Sequence, residues 1–342
     1  MFSLASAGLY ERTVEALDAS THPTARVSPC PVCGGETAQP RLSVAGLASP
    51  VVVCIQCGLG RFHPSPPPEE VRALYPDEYY GEPGTKFQPL IERLVRLVGA
   101  RHIGFLSRGL AAGARVLDVG CGRGVLLGAL ADRGYEVCGL EISEEAVRGA
   151  DSRAEIRIAS KVADAGFEAS SFDEVIVWHV FEHMEDPRET LDEINRILKP
   201  GGSLVIAVPN FGSAQARWTG AAWFHLDLPR HLFQFPASAL SNLLSQTGFE
   251  VISEHHFSLR QNPFGWIQSI LNHSARLPRN GLYALLHRRG TDELLPFDAR
   301  TRFWLRLWLV VLAPLSLFAT AVETVARSGA TIHFVARKRS EG

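Results

Sequence analysis

Residues 116–124 read VLDVGCGRG: an apolar run that reaches Asp118, turns through Gly120, Gly122 and Gly124, and enters a second apolar run, Val125–Ala131. Glycines at that spacing belong where a backbone bends sharply and lets a ligand come close, because a Cβ obstructs both. Strand, glycine turn and helix in that order predict an open α/β sheet with helix N-terminal amides facing a ligand, as in pyrophosphate-binding dinucleotide sites. Asp118, just ahead of the turn, is a poor match for a pyrophosphate. It suits a cationic ligand or one carrying an ammonium group. Residues 136–141, EVCGLE, then close a second apolar strand on Glu141, about twenty residues past the first glycine, where an acid can hold two ribose hydroxyls.

S-adenosylmethionine carries a sulfonium, an ammonium and a ribose, and so answers both acids. On Asp118, the glycine triplet and Glu141 the chain resembles the class I S-adenosylmethionine-dependent methyltransferases, over roughly residues 90–257 and 330–338. The resemblance implies an α/β fold: a doubly wound, mostly parallel seven-stranded Rossmann-like sheet. It also implies donor contacts from Asp118, Gly120, Cys121, Gly122, Gly124, Glu141, Ile142, Asp164, Trp178 and His179, with Asp164 where the family places an acid facing the adenine amino group. Ser143 is placed to cap a short helix running through Ala150, ahead of a strand near Glu155–Ala159. Phe172–Trp178, with Val175, Ile176 and Val177 in a row, reads as a strand covered on both faces. A helix with Leu191, Ile194, Ile197 and Leu198 on one side leads to a stop, a turn and a fifth strand in Lys199–Asn210. RHLFQF, a helix near Pro236–Thr247, a strand Phe249–Phe257 and an antiparallel closing strand Thr331–Lys338 complete the likeness. About seventy residues, roughly Ser258–Gly329, stand where many members have a short hairpin.

Four of six cysteines form Cys30-Pro-Val-Cys33 and Cys54-Ile-Gln-Cys57, each pair followed by a glycine. Two such knuckles supply four thiolates for a tetrahedral zinc ribbon over residues 28–63, and a four-cysteine site leaves no open position for catalysis, so the zinc is read as structural. The thiols of Cys121 and Cys138 read as small buried groups. Residues 1–27 precede the ribbon, and 64–86 form a proline-rich linker with Tyr75, Tyr79 and Tyr80 placed to close over donor or acceptor, or to pack between the units. The methyltransferase unit is expected over 87–257 and 330–339, with Phe87–Leu110 helical, and a helical apolar insertion over 258–329.

Within that insertion Phe303–Val322 holds one charge, Arg306, and Pro314 interrupts it. That length is marginal for a span, and a helix apolar all round must be covered. Residues 303–325 are therefore expected to form a helical cap, a homodimer surface or a peripheral membrane contact, with nearby arginines (Arg276, Arg279, Arg288, Arg289, Arg300, Arg302 and Arg327) and Trp304 and Trp308 as interfacial anchors. The net charge of −2, from 34 basic and 36 acidic residues, gives no global attraction to nucleic acid or an anionic membrane. The first twenty residues lack a basic stretch joined to an apolar one, so no secretory signal is expected; the reading is cytoplasmic, with a peripheral position at the inner face of the membrane as the alternative that residues 303–325 leave open.

Methyl transfer is an in-line displacement that requires alignment, exclusion of water and, for a hydroxyl acceptor, removal of a proton. His179, directly after the fourth strand, is the first candidate base, although it equally fits a hydrogen-bonded rim residue. His231 in PRHLFQF is the second, with His225 and Asp227 nearby; Glu182 and His183 read as supports of the loop. The aromatic segment Gly212–Leu228 is expected to wall an acceptor pocket, and His255 and His256 to be edge residues. No catalytic metal is expected, because HVFEH has a histidine where certain quinone-pathway methyltransferases have a glutamate ligand. The preferred acceptor is a small molecule or glycan, such as a sugar hydroxyl in cell-surface polysaccharide or lipid-linked glycan assembly. A ribosomal or transfer RNA methyltransferase is the alternative, disfavoured because ribbon residues 30–62 carry only Arg41 and Arg61 as basic residues. A non-catalytic donor-binding scaffold is the third.

Overall fold

Two sheets organise the chain, one antiparallel and one mostly parallel. The computed structural model describes residues 13–67, 104–106, 109–286 and 297–340. Tyr75, Tyr79, Tyr80, Arg288, Arg289 and most of the helices expected over Phe87–Leu110 lie outside the described residues.

The antiparallel sheet contains β1 (Val14–Ala16), β2 (Ala25–Arg26), β3 (Thr37–Val44), β4 (Val51–Cys54) and β5 (Gly60–Phe62). β1 and β2 both pair with β3, which pairs with β4 and then β5. Its apolar face is small: Val32, Leu42, Val44, Val51, Leu59 and Phe62 are buried.

The second unit begins with β6 (Arg115–Val119), helix α1 (Val125–Ala131), β7 (Glu136–Glu141) and β8 (Glu155–Ile158). Between β7 and β8 the short helix expected from Ser143 to Ala150 does not form. Those residues make successive turns, with Ser143 Oγ accepting from the Glu145 amide at 3.2 Å. Gly149, at φ 78°, ends any helical run before the two turns that would offset its nucleation cost. β9 (Phe172–Trp178) follows, with Val175, Ile176 and Val177 fully buried, worth about 1.5–3 kcal/mol each in removed apolar surface. Helix α2 (Pro187–Ile197) starts on proline, and Asp186 accepts from the amides of Arg188 and Glu189 as its cap. It ends at Ile197, so Leu198 opens β10 (Leu198–Pro209) rather than closing the helix.

Next come α3 (Ala214–Thr219), β11 (Phe233–Gln234), α4 (Ala237–Gln246), β12 (Phe249–His255), α5 (Asn262–Asn272), α6 (Gly281–Leu286), α7 (Ala299–Val325) and β13 (Thr331–Lys338). The large sheet has the order β12-β13-β10-β9-β6-β7-β8, parallel except for β13, which runs antiparallel to both neighbours. β6 and β9 sit side by side at the point where chain order reverses, which places a ligand cleft beyond their C-terminal ends. β11, from the loop ahead of α4, pairs with β5 and so adds the last strand to the antiparallel sheet rather than to the large one.

In the insertion α5, α6 and α7 pack through Ile267, Leu271, Leu282, Leu285, Leu305 and Leu312. Asp298 caps α7 by accepting from the Thr301 amide at 2.7 Å. Pro314 does not break the helix; it lies on the exposed side.

Candidate active site

The glycine turn sits at the C-terminal end of β6, with φ 74° at Gly120, 51° at Gly122 and 67° at Gly124. A Cβ at Gly120 would stand 2.4 Å from Val180 Cγ2, so the bare backbone is what lets the segment after β9 close on the loop. At Gly122 a Cβ would meet nothing within 4 Å, which leaves that stretch of backbone open to a ligand. Glu141 accepts from the Gly122 amide at 2.9 Å through one oxygen and from the Ile142 amide at 2.8 Å through the other. Its carboxylate is thus aimed across the loop, with lone pairs remaining for hydroxyl donors. Asp118 is 5% exposed, and burial, with Glu141 adding to it, pushes its carboxyl up to about 8. An acid held in that condition gains most from a bound cation.

Around these groups Ile142 is half exposed, and Asp164 lies exposed on the 3₁₀ turn Ala163–Ala165 after β8. The Trp178 ring packs against His333 of β13, centroids 4.5 Å apart and planes tilted by 38°. The Cys121 thiol is buried against the bare face of Gly139 and pushed up to about 12 by burial, then by Asp118 and Glu141; it is a packed neutral group.

The second assembly was only partly visible in the sequence. His179 adopts φ 55°, its amide bonded to the Ala207 carbonyl, and its Nδ1 lies 3.6 Å from a carboxylate oxygen of Glu182. Glu182 is 1% exposed, and its Oε1 is also 3.8 Å from His231 Nε2, which lies 3.7 Å from Asp227. Burial alone would raise the Glu182 carboxyl; the adjacent His179, with His231 and His183 behind it, outweighs burial and holds the acid down at about 2. His231 is lowered to about 4 by burial and then His183, and His225 to about 3 by burial. Both imidazoles are therefore neutral near pH 7, and His179 Nδ1 is the ring nitrogen nearest the Glu182 carboxylate. His183 and His231 each turn Nδ1 to a backbone carbonyl at 3.0 Å, those of Arg230 and His225, which directs their Nε2 atoms inward. Glu182 Oε2 and His179 Nε2 are buried with no hydrogen-bond partner among the described residues. Ligand atoms of Glu182, His183 and His231 fall within 4.8 Å of one another, a set that HVFEH alone did not suggest, because His231 arrives from the loop ahead of β11.

The aromatic segment divides. Trp223 is a core residue and not a pocket wall: it is 1% exposed and donates Nε1–H to Gln215 Oε1 at 3.0 Å. Phe224 packs against Phe264 and Tyr283 of the insertion, and Trp218 lies on the surface beside Trp266. His255 lies on edge strand β12 against Phe105, and His256 pairs with Glu254 at 2.8 Å.

In the ribbon Cys30 and Cys57 Sγ lie 3.6 Å apart, and Cys33 and Cys54 Sγ 3.5 Å apart, with all four sulfurs within 4.8 Å and no disulfide among them. Tetrahedral zinc with Zn–S bonds of about 2.3 Å puts its sulfurs about 3.8 Å apart, so the cluster fits. Gly34 and Gly58, at φ 72° and 75°, let each knuckle close, their amides donating hydrogen bonds to the carbonyls of Cys30 and Cys54. Hydrogen bonding from Cys57 pulls the Cys30 thiol down, which favours its thiolate, while the same contact moves Cys57 up. The ribbon is hooked to the catalytic unit by Arg188 of α2, which donates to the carbonyls of Pro31 at 3.2 Å and Val32 at 3.5 Å inside the first knuckle.

Fold order and the acid–glycine–acid cleft define an α/β enzyme that binds a nucleoside cofactor at its switch point. A methyltransferase-domain family model matches residues 91–254. The ubiquinone biosynthesis O-methyltransferase of Azoarcus sp. is 31% identical over 50% of this chain and 78% of its own length. The enzyme of the same name from Xanthomonas oryzae pv. oryzae is 37% identical over 29% of this chain and 44% of its own length. Phosphoethanolamine N-methyltransferase 2 of Haemonchus contortus, solved with S-adenosyl-L-methionine, aligns with a TM-score of 0.46 at 18% identity, over 79% of this chain and 59% of that one. The chain belongs to the class I S-adenosylmethionine-dependent methyltransferases.

Proposed function

We propose that the enzyme methylates a hydroxyl of a small, lipid-linked acceptor, such as a sugar or ring hydroxyl carried on a lipid tail, at the inner face of the membrane. In this reading Asp118 and Glu141 hold the donor's ammonium and ribose, and the open backbone at Gly122, with Cys121, Gly124 and Ile142, lines its path. Asp164, Trp178 and the backbone of His179 complete the cleft.

The observation that carries the hydroxyl assignment is the His179–Glu182 couple beside the glycine loop. A buried carboxylate facing Nδ1 favours the tautomer with its proton on that atom and leaves Nε2, covered in the free protein, to accept one from an acceptor hydroxyl once the pocket opens to admit it. The relatives named as O-methyltransferases support an oxygen acceptor. RNA is disfavoured further, since Arg61 is buried and bonded to Ser28, which leaves Arg41 as the exposed basic residue between 30 and 62.

His179→Ala is expected to lower turnover by about 10²–10⁴-fold with donor affinity nearly unchanged, and Glu182→Gln to lower it less and move its pH profile. The check is S-adenosylhomocysteine release with hydroxyl-bearing lipid-linked acceptors; full turnover in His179→Ala would end the assignment. A second reading, in which Glu182, His183 and His231 hold a divalent cation that orients the hydroxyl, is favoured by their convergence. Chelator-treated protein that regains turnover only with added Mg²⁺ or Mn²⁺ would select it over proton transfer alone.

A further inference from the structure

Helix α7 is buried along a narrow stripe, Leu305, Leu312, Ser316, Thr320 and Glu323, by which it packs on the rest of the insertion. At 100° per residue those side chains cover an arc of about 80°. The opposite arc, about 200° wide, includes Phe303, Leu307, Val310, Leu315, Phe318 and Val325, all 39–87% exposed. From Leu307 to Val322 that arc carries no charge. The helix's one acid, Glu323, is buried on the inner stripe, where Trp266 Nε1–H donates to it at 2.9 Å. Its cations, Arg300, Arg302 and Arg306, cluster at the N-terminal end, with Arg306 at one border of the apolar arc and Trp308 at the other.

We propose that α7 docks in the plane of an anionic bilayer surface, with its outer arc among the acyl chains and its arginines among the headgroups. The claim rests on the lipid-linked acceptor reading and names the surface from which that acceptor arrives. Arc width selects lipid over a second copy of the chain. One partner helix covers a stripe of roughly 100°, whereas a continuous apolar medium covers 200°. Charge agrees, since the outward side is cationic at one end and nowhere acidic. The helix lies along the membrane rather than across it. Its inner stripe is packed on protein from Leu305 to Glu323, and its C-terminal end returns at once to the sheet, where the Ala330 carbonyl accepts from the Asn210 amide at 2.8 Å. Behind α7, α5 touches the histidine loop: Ser269 Oγ accepts from the Phe224 amide at 2.9 Å, and a Cβ at Gly265 would stand 2.5 Å from His225 Nε2. One helix thus separates the lipid face from the loop that carries His231.

The test is vesicle flotation of the full chain with phosphatidylcholine alone and with phosphatidylglycerol added, reading Trp304 and Trp308 fluorescence in parallel. Expected are flotation and a blue shift with the anionic vesicles, and loss of both in Leu315→Glu/Phe318→Glu. Replacing Arg300, Arg302 and Arg306 by glutamine should weaken binding on the order of 10²-fold. Calorimetric donor binding checks that each variant is folded and separates the two readings. Intact donor binding without flotation overturns the docking alone. A stable dimer that Phe318→Glu dissociates, with no vesicle binding, overturns it in favour of a second copy.

Discussion

Asp118→Asn should bind S-adenosylmethionine about 10–100-fold more weakly than the parent at pH 7.5, the worth of one buried charge-assisted hydrogen bond. It should also lose the parent's pH dependence. In the free protein the Asp118 carboxyl is raised to about 8 by burial and then by Glu141. Below that pH the Asp118 carboxyl is protonated, and the donor's ammonium must displace that proton to bind. Parental affinity should therefore tighten about tenfold between pH 6 and pH 7 and level off near 8. The donor's own ammonium titrates close to 8 as well, and the asparagine variant, which keeps only that titration, serves as the control. Calorimetry in two buffers of different ionisation heat should show a proton released on binding below pH 8 in the parent and none in the variant. The sign carries over to stability. A carboxyl raised on folding favours the folded state most at low pH, and that contribution is lost as pH rises through about 8. The donor-induced rise in Tm should accordingly grow from pH 6 to 8. A parental affinity that is flat over this range would dismiss the assignment of Asp118 to the ammonium.

The acid–glycine–acid cleft was legible because each of its parts is local. A strand, a glycine turn and a helix occupy neighbouring residues, and the sheet then follows from apolar runs such as Val175–Val177 alternating with helical patterns. The cysteine spacing was legible for the same reason. Three features were not. Glu182, His183 and His231 meet because the loop between α3 and β11 folds back over the turn after β9, and that path has no periodicity to read. The pairing of β11 with β5 involves two residues, Phe233 and Gln234, too few for an alternating pattern. Trp223 turned out to be core because its indole N–H finds Gln215; residue type alone does not separate a packed aromatic from a pocket wall.

Removing the ribbon's metal site should reach the histidine cluster while leaving the donor cleft nearly intact, because the two lie on different sheets. The ribbon's own apolar residues are few and pack as an extension of the catalytic unit's core, so four thiolates around zinc would supply much of its local stability, about 10–16 kcal/mol by comparison with zinc-finger peptides. Loss of one ligand in Cys33→Ser should release the ion and unfold residues 28–63, read as one zinc per chain in the parent, none in the variant, and rapid proteolysis within that segment. Two contacts then carry the loss inward. β11 loses its partner β5, which frees the strand two residues beyond His231. Arg188 loses the carbonyls of Pro31 and Val32, five residues beyond His183 in the chain. Glu182 would remain buried between histidines whose positions are no longer held from both sides, so turnover should fall at least tenfold while donor affinity changes less than threefold, a proportion set by the roughly 1.4 kcal/mol that each tenfold represents. Arg188→Ala separates transmission from unfolding. It should retain zinc and resist proteolysis, yet show part of the turnover defect. Turnover equal to the parent's in a zinc-free, proteolysed ribbon would mean that the ribbon does not position the catalytic loop.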